Sequence, residues 1–114
     1  MMGEKQNELV SVKNDRKDHK DRWDLVPLLD LEDVVKVYNA GVNKYGPNRW
    51  QNLEDGFERY RGALMRHLVA YMKGERYDAE TGCMHLAQVA WNAIAILHYD
   101  KANKGLYEFK ENGK

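Results

Sequence analysis

The chain has 114 residues, 18 basic against 18 acidic side chains, and one cysteine. That size admits one domain, the charge balance argues against a duplex-nucleic-acid binder, and a lone cysteine excludes an internal disulfide and fits a reducing compartment. No run approaches the ~18 apolar residues of a membrane span and the polar N-terminus has no apolar signal core, so a cytoplasmic protein with no membrane contact is expected.

Residues 1–21 hold many charges and few apolar groups, too little to offset their ordering entropy, and read as a flexible, disordered N-terminal arm. Asp15, Asp18 and Asp21 dilute its basic run at Lys17–Lys20. A helical domain is expected over 22–105, followed by a tail over 106–114. Its first helix runs from about Asp30 to Lys44, where Leu31, Val34, Val35, Tyr38 and Val42 recur at helical spacing. Asp30 is placed to cap it, with Asp33 near the capping-box position. An interior glycine costs about 1 kcal/mol against alanine, so Gly41 makes sense where another helix or a ligand comes close. Tyr45 to Trp50 is a loop by its Gly-Pro and Asn punctuation, and its Trp50 either folds back on the core or meets a planar ligand.

A second helix is expected from about Phe57 to Lys73, with an apolar stripe of Phe57, Tyr60, Leu64, Leu68, Tyr71 and Met72 and a stop at Gly74. An acid-rich loop carries Glu75, Asp78 and Glu80. The third helix runs from about Met84 to Lys101, with Leu86, Val89, Ala90, Ala93, Ile94 and Leu97 as its expected buried face. The tail segment Leu106–Phe109 is amphipathic enough to dock on the core or on a neighbouring chain. No alternating run is long enough for a strand. The fold class is all-α, a small helical bundle with short connections, and a domain of this size gains from burying more surface by oligomerising.

Two polar sets interrupt the apolar helices. His67 and Tyr71 share a face of the second helix, with Arg66 beside them, and His85, Gln88 and Asn92 form one stripe on the third. Antiparallel packing would set the stripes opposite each other, and buried polar groups are costly unless paired or used. The loop places Glu75, Asp78 and Glu80 beside that seam. Hard cations such as Mg²⁺ take oxygen ligands, keep waters and take substrate phosphate oxygens, while histidines ligate softer divalents or hydrogen-bond a phosphate. Lys44, Arg49, Arg59, Arg61 and Arg66 are available for phosphates. There is no GxxxxGK[ST] loop, no GxGxxG, no HExxH and no cysteine pair, and the only serine, Ser11, lies in the arm.

The segments RWDLVP (Arg22–Pro27), VYNAGVNKYGPNRW (Val37–Trp50), RHLVAYMKGERYDAETG (Arg66–Gly82) and HLAQVAWNAIAILHY (His85–Tyr99) carry a resemblance. The sequence resembles the phage dATP/dGTP diphosphohydrolase N-terminal domain family, grouped with the MazG-like all-α nucleotide pyrophosphohydrolases (MazZ type). The resemblance implies an enzyme that hydrolyses a purine deoxynucleoside triphosphate, dGTP or dATP, between its α- and β-phosphates to a monophosphate and pyrophosphate. It also implies Mg²⁺ or Mn²⁺ as cofactor, a homo-oligomer (dimer or tetramer), a role in phage nucleotide-pool metabolism and a place in the host cytoplasm.

The wider MazG-like group carries ExxE on one helix and ExxD on the next. Here those places fall near His67 and Ala70, and His85 and Gln88, so the acids sit in the loop instead. Under this resemblance Glu75, Asp78 and Glu80 are the expected metal ligands, and His67, His85 and Glu75 the catalytic set. Lys44 and Arg66 would hold phosphates, Asn92 the sugar or base, and Trp23, Asp24 and Trp50 the base pocket. The competing readings are a non-catalytic phage protein that sequesters a nucleotide, which would need no metal, and a helical interaction module.

Overall fold

A computed structural model of the chain describes residues 19–110. Most of the expected arm, residues 1–18, and the end of the expected tail, 111–114, lie outside the described residues. Among the described residues there are three α-helices and no strand, which bears out the all-α fold class. We label them α1 (Leu28–Tyr45), α2 (Gly56–Met72) and α3 (His85–Lys101). Single 3-10 turns at Trp23–Leu25 and Arg49–Asn52 precede α1 and α2.

The helix α1 begins earlier than its apolar pattern suggests. Asp30 does not cap it: Pro27 holds the N-cap position, no side chain caps the helix, and the Pro27 carbonyl accepts from the amides of Asp30 and Leu31 at 3.0 and 3.2 Å. Asp30 instead sits in the first turn, where a carboxylate complements the positive end of the helix dipole.

The helices α2 and α3 form an antiparallel hairpin, the largest interface in the molecule. Its register is visible in pairs that run in opposite directions along the two helices: His67 with His85, Tyr60 with Trp91, and Gly56 with Tyr99. Gly74, at φ 98°, takes the left-handed conformation that ends α2 and is open to glycine without strain. The loop then closes on itself. Asp78 N–H donates to the Cys83 carbonyl at 2.8 Å, Gly82 N–H to the Asp78 carbonyl at 2.7 Å, and His85 N–H to the Arg76 carbonyl at 2.8 Å. Helix α1 packs mainly on α3.

One expectation is reversed. The face of α3 turned inward is not the expected apolar set: Leu86, Ile94 and Leu97 are 41%, 38% and 55% exposed, Ala93 is exposed as well, and Val89 and Ala90 are only half-buried. His85, Ala87, Gln88, Asn92, Ala95 and Tyr99 are buried in their place. His85 and Gln88 meet polar partners on α2 and the loop, which offsets the cost of burying them, while Leu86, Ile94 and Leu97 are left open in the single chain. Among the described residues the buried apolar set is correspondingly small: Val34, Cys83, Ala87, Ala95 and Tyr99. The lone cysteine, Cys83, is a buried free thiol.

The tail does not dock on the core. Asn103 holds it by two side-chain bonds, donating to the Phe109 carbonyl and accepting from the Phe109 N–H, and Leu106, Tyr107 and Phe109 stay exposed.

Tyr99 fixes the far end of the hairpin. Its hydroxyl donates to the Trp50 carbonyl at 2.6 Å and accepts from the Leu53 N–H at 3.0 Å. Gly56 lets the ring lie against the start of α2, where a Cβ would collide with the phenol. Urea unfolding should show Gly56→Ala destabilised by about 1–3 kcal/mol through overpacking. Tyr99→Phe should lose about 1–3 kcal/mol by leaving backbone groups without a partner. A Gly56→Ala protein as stable as the parent would contradict the packing described.

Candidate functional site

A cavity of about 510 Å³ opens between α1, the turn before α2, α2, the α2–α3 loop and α3, within the roughly 300–1,000 Å³ usual for small-molecule sites. One wall is aromatic. Trp91 of α3 sits at its centre, with ring centroids 5.6 Å from Tyr38 of α1, 5.6 Å from Trp50 and 5.2 Å from Tyr60 of α2, all edge-to-face. Trp50 therefore folds back on the core and faces the cavity at once, its other side packed on His98 at 4.9 Å. Burial pushes the Tyr60 hydroxyl up to about 12, so it stays a protonated donor. Gly41 lines the opposite side, and a Cβ there would meet nothing within 4 Å, so the glycine borders open cavity rather than another helix.

The other wall is polar. The buried Gln88 donates to Asp78 Oδ2 at 3.1 Å, and the buried Asn92 donates through Nδ2 to the Gln88 carbonyl at 2.7 Å. Asp78 also accepts from the Glu80 N–H and the Thr81 hydroxyl, each at 3.1 Å. Burial works to raise the Asp78 carboxyl, but the bonds from Gln88, the Glu80 amide and Thr81 outweigh it and hold it below the ordinary value. His67 and His85 approach Nδ1 to Nδ1 at 2.9 Å. Burial, then the neighbouring His85, pushes the His67 pKa below the ordinary 6.5, against the pull of Asp78 and Glu80. Among the described residues, Trp91 Nε1 and Asn92 Oδ1 are buried without a hydrogen-bond partner, a cost of about 1–3 kcal/mol for each such group.

Of the residues singled out by sequence, Lys44, Trp50, Arg66, His67, Asp78, Glu80 and Asn92 come together on this one lining. His85 lies behind His67, and Glu75 behind His85, its Oε1 3.6 Å from His85 Nε2 and its side chain 64% exposed. Trp23 and Asp24 are not brought to the cavity. Trp23 is 78% exposed, and Asp24 is clasped by Arg22, whose hydrogen bond holds its carboxyl below the usual range. Sequence reasoning missed Tyr60 and Thr81 as lining residues. Tyr60 was legible in principle, since Tyr60, Ala63 and His67 fall at i, i+3 and i+7 on one stripe of α2. Nothing in the sequence singles out Thr81.

Four cations, Lys44, Arg49, Arg59 and Arg66, line the same cavity. Lys44 is joined to Glu80 at 3.1 Å across the gap between α1 and the loop, and both side chains are exposed. Among the described residues no three His, Cys, Asp or Glu side chains converge as a ligand set. Mg²⁺ bound with a nucleotide needs only one or two carboxylates, the rest being waters and phosphate oxygens. Asp78 and Glu80 on the lining fit that kind of ion, whereas Glu75 faces His85 instead. No helix among the described residues is long and apolar enough to cross a membrane.

The family described as dATP/dGTP diphosphohydrolase, N-terminal, matches residues 11–108 of the chain. A dATP/dGTP diphosphohydrolase of Salmonella phage PMBT28 is 39% identical to it over 65 residues, which make up 57% of this chain and 22% of that protein. The chain thus matches about a fifth of that relative's length. No solved structure matches the chain.

The depressed pKa of His67 makes a stability prediction. The fold favours the neutral ring, so its contribution is fully present above the ordinary value of 6.5 and is lost as the pH falls through the lower folded value. Asp78 adds a second loss at more acid pH, below its ordinary 3.8. Urea midpoints measured across the histidine range should fall with acidification in the parent and fall less in His67→Gln. Parallel curves for the two proteins would contradict the assignment.

Proposed function

Because the chain belongs to the dATP/dGTP diphosphohydrolase N-terminal family, we propose that its cavity binds dGTP or dATP and hydrolyses it to the deoxynucleoside monophosphate and pyrophosphate, in the service of phage nucleotide-pool metabolism. One observation carries this reading: a single cavity joins an aromatic wall of Tyr38, Trp50, Tyr60 and Trp91 to the cations Lys44, Arg49, Arg59 and Arg66. A purine matches the first and a triphosphate the second. The unspent donor on Trp91 and acceptor on Asn92 lie in residues of the same lining, and a ligand offsets the cost of leaving such groups unpaired.

In this proposal the rings hold the base and Asn92 lies near the sugar, between the aromatic wall and the polar end. Arg66 and Lys44 take the phosphates. A phosphate oxygen competes with Glu80 for Lys44, so binding releases the Glu80 carboxylate beside Asp78. Mg²⁺ or Mn²⁺ held by those two carboxylates and the substrate's phosphates would neutralise charge on the phosphate oxygens and lower the pKa of the attacking water. His67 lines the cavity where it can orient that water against the α-phosphate.

The same proposal includes a homo-oligomer, a dimer or tetramer. Its support is the reversed α3, whose Leu86, Ile94 and Leu97 face outward, together with the exposed Met65, Val69 and Met72 of α2. A small buried core beside so much exposed apolar surface marks an association face.

Purified chain incubated with each deoxynucleoside triphosphate and Mg²⁺ or Mn²⁺, with products resolved by chromatography, should give monophosphate and pyrophosphate from dGTP or dATP. EDTA should abolish this. A bound but unhydrolysed nucleotide would overturn the enzyme reading in favour of sequestration. Gly41→Ala should stabilise α1 by up to about 1 kcal/mol while raising KM, because its methyl group enters the cavity. In light scattering the parent should exceed the monomer mass, and Leu97→Glu should move it toward the monomer. A monomeric parent would remove the association face.

A further inference from the structure

Water that attacks phosphorus must give up a proton, and the cavity lining offers histidine, carboxylate and phenol groups to take it. Resting on the pyrophosphohydrolase reading above, we infer that His67 Nε2 is the proton acceptor, and that His85 and Glu75 are positioning residues that decide which nitrogen of His67 is bare.

Two Nδ1 atoms 2.9 Å apart can share only one hydrogen. Which ring owns it is set from behind. Glu75 Oε1 lies 3.6 Å from His85 Nε2, so its negative charge favours the hydrogen of a neutral His85 on Nε2. A neutral His85 with Nε2–H presents a lone pair at Nδ1. His67 must then supply the shared hydrogen from its own Nδ1, which leaves His67 Nε2 as a lone pair. His85 is 5% exposed and lies off the lining, whereas His67 is on it. The sequence of contacts therefore runs from an exposed carboxylate, through a buried ring, to a ring that faces the cavity. A carboxylate that orients an imidazole's tautomer from its far side is an arrangement used in hydrolases generally.

The alternative acceptors are committed. Asp78 receives three hydrogen bonds, from Gln88, the Thr81 hydroxyl and the Glu80 amide, which occupy both its oxygens. Glu80 is paired with Lys44 in the free chain and, in the reading above, goes to the divalent ion once a phosphate displaces it. The Tyr60 phenol stays protonated. The charged and titratable groups acting on His67 are His85, Arg66, Asp78 and Glu80, and with burial as the leading cause the balance favours the neutral form. In the step, a water O–H bond breaks, its proton goes to His67 Nε2, and the oxygen forms a bond to the α-phosphorus. The bond from that phosphorus to the oxygen bridging to the β-phosphorus breaks, and its electron pair leaves with pyrophosphate. His67 then returns the proton to solvent.

The test begins with the full, ligand-free chain labelled with ¹⁵N at histidine. Imidazole nitrogen shifts should show His67 as the Nδ1–H tautomer and His85 as the Nε2–H tautomer. The opposite tautomer at His67 overturns the inference, and because this spectrum needs no substitution, a variant that fails to fold does not shield it. With dGTP, His67→Ala should lower kcat by about 10²–10⁴-fold with little change in KM. His85→Ala should lower kcat and broaden the His67 tautomer signals. His85→Asn, whose amide oxygen can stand near the lost Nδ1, should recover most of both. An Asn variant as impaired as the Ala one overturns the positioning role. Full activity in His67→Ala sinks the proton acceptor while leaving the hydrolase reading standing, whereas a parent chain that turns over no nucleotide removes that reading and the acceptor role with it.

Discussion

The phenol of Tyr99 ties the molecule together. It is 3% exposed, and its single hydroxyl satisfies both a carbonyl and an N–H of the segment between α1 and α2. That segment carries Trp50, so the bond that anchors its backbone also sets one side of the aromatic wall. The requirement propagates to Gly56, since only a residue without Cβ lets the ring reach so close to the start of α2. At the opposite end of the hairpin Asp78 has the corresponding role, gathering Gln88, Thr81 and the Glu80 amide. Between these two clamps the walls of the cavity face each other.

The hairpin is built against the usual hydrophobic logic. Its inward stripe on α3 includes His85, Gln88 and Asn92, and its large aliphatic side chains Leu86, Ile94 and Leu97 look outward. Two of the inward polar groups find partners on α2 and the loop, His67 for His85 and Asp78 for Gln88, while Asn92 donates to the Gln88 carbonyl of α3 itself. The same choice leaves a single chain short of buried apolar surface. An inward polar stripe and the outward Leu86, Ile94 and Leu97 are therefore two consequences of one rotation of α3 about its axis.

The loop shows how acids close in sequence acquire different work. Glu75 reaches back to His85, Asp78 braces Gln88, and Glu80 crosses to Lys44 of α1. Left-handed backbone at Gly74 and Gly82, with the isolated pairing of Tyr77 and Met84, turns successive side chains in different directions. The loop thus supplies two carboxylates to the lining and one to the histidine behind it.

Local chemistry was enough to determine the all-α class and the positions of the helices. Helical periodicity and glycine stops are short-range properties, and the helices begin and end within about two residues of the pattern, the usual scatter at such boundaries. Helical spacing also put His85, Gln88 and Asn92 on one stripe of the third helix and His67 on a stripe of the second, but it left a competing apolar face on the third helix. Which face of α3 turned inward was decided only by the tertiary structure. Hydrophobic patterning favours Leu86, Ile94 and Leu97, but it cannot register that polar partners wait on α2 and the loop. Tertiary contacts likewise set Glu75 against His85, kept Trp23 and Asp24 away from the cavity and drew Tyr60 into it. These outcomes depend on through-space pairing between segments far apart in the chain, which no local pattern encodes.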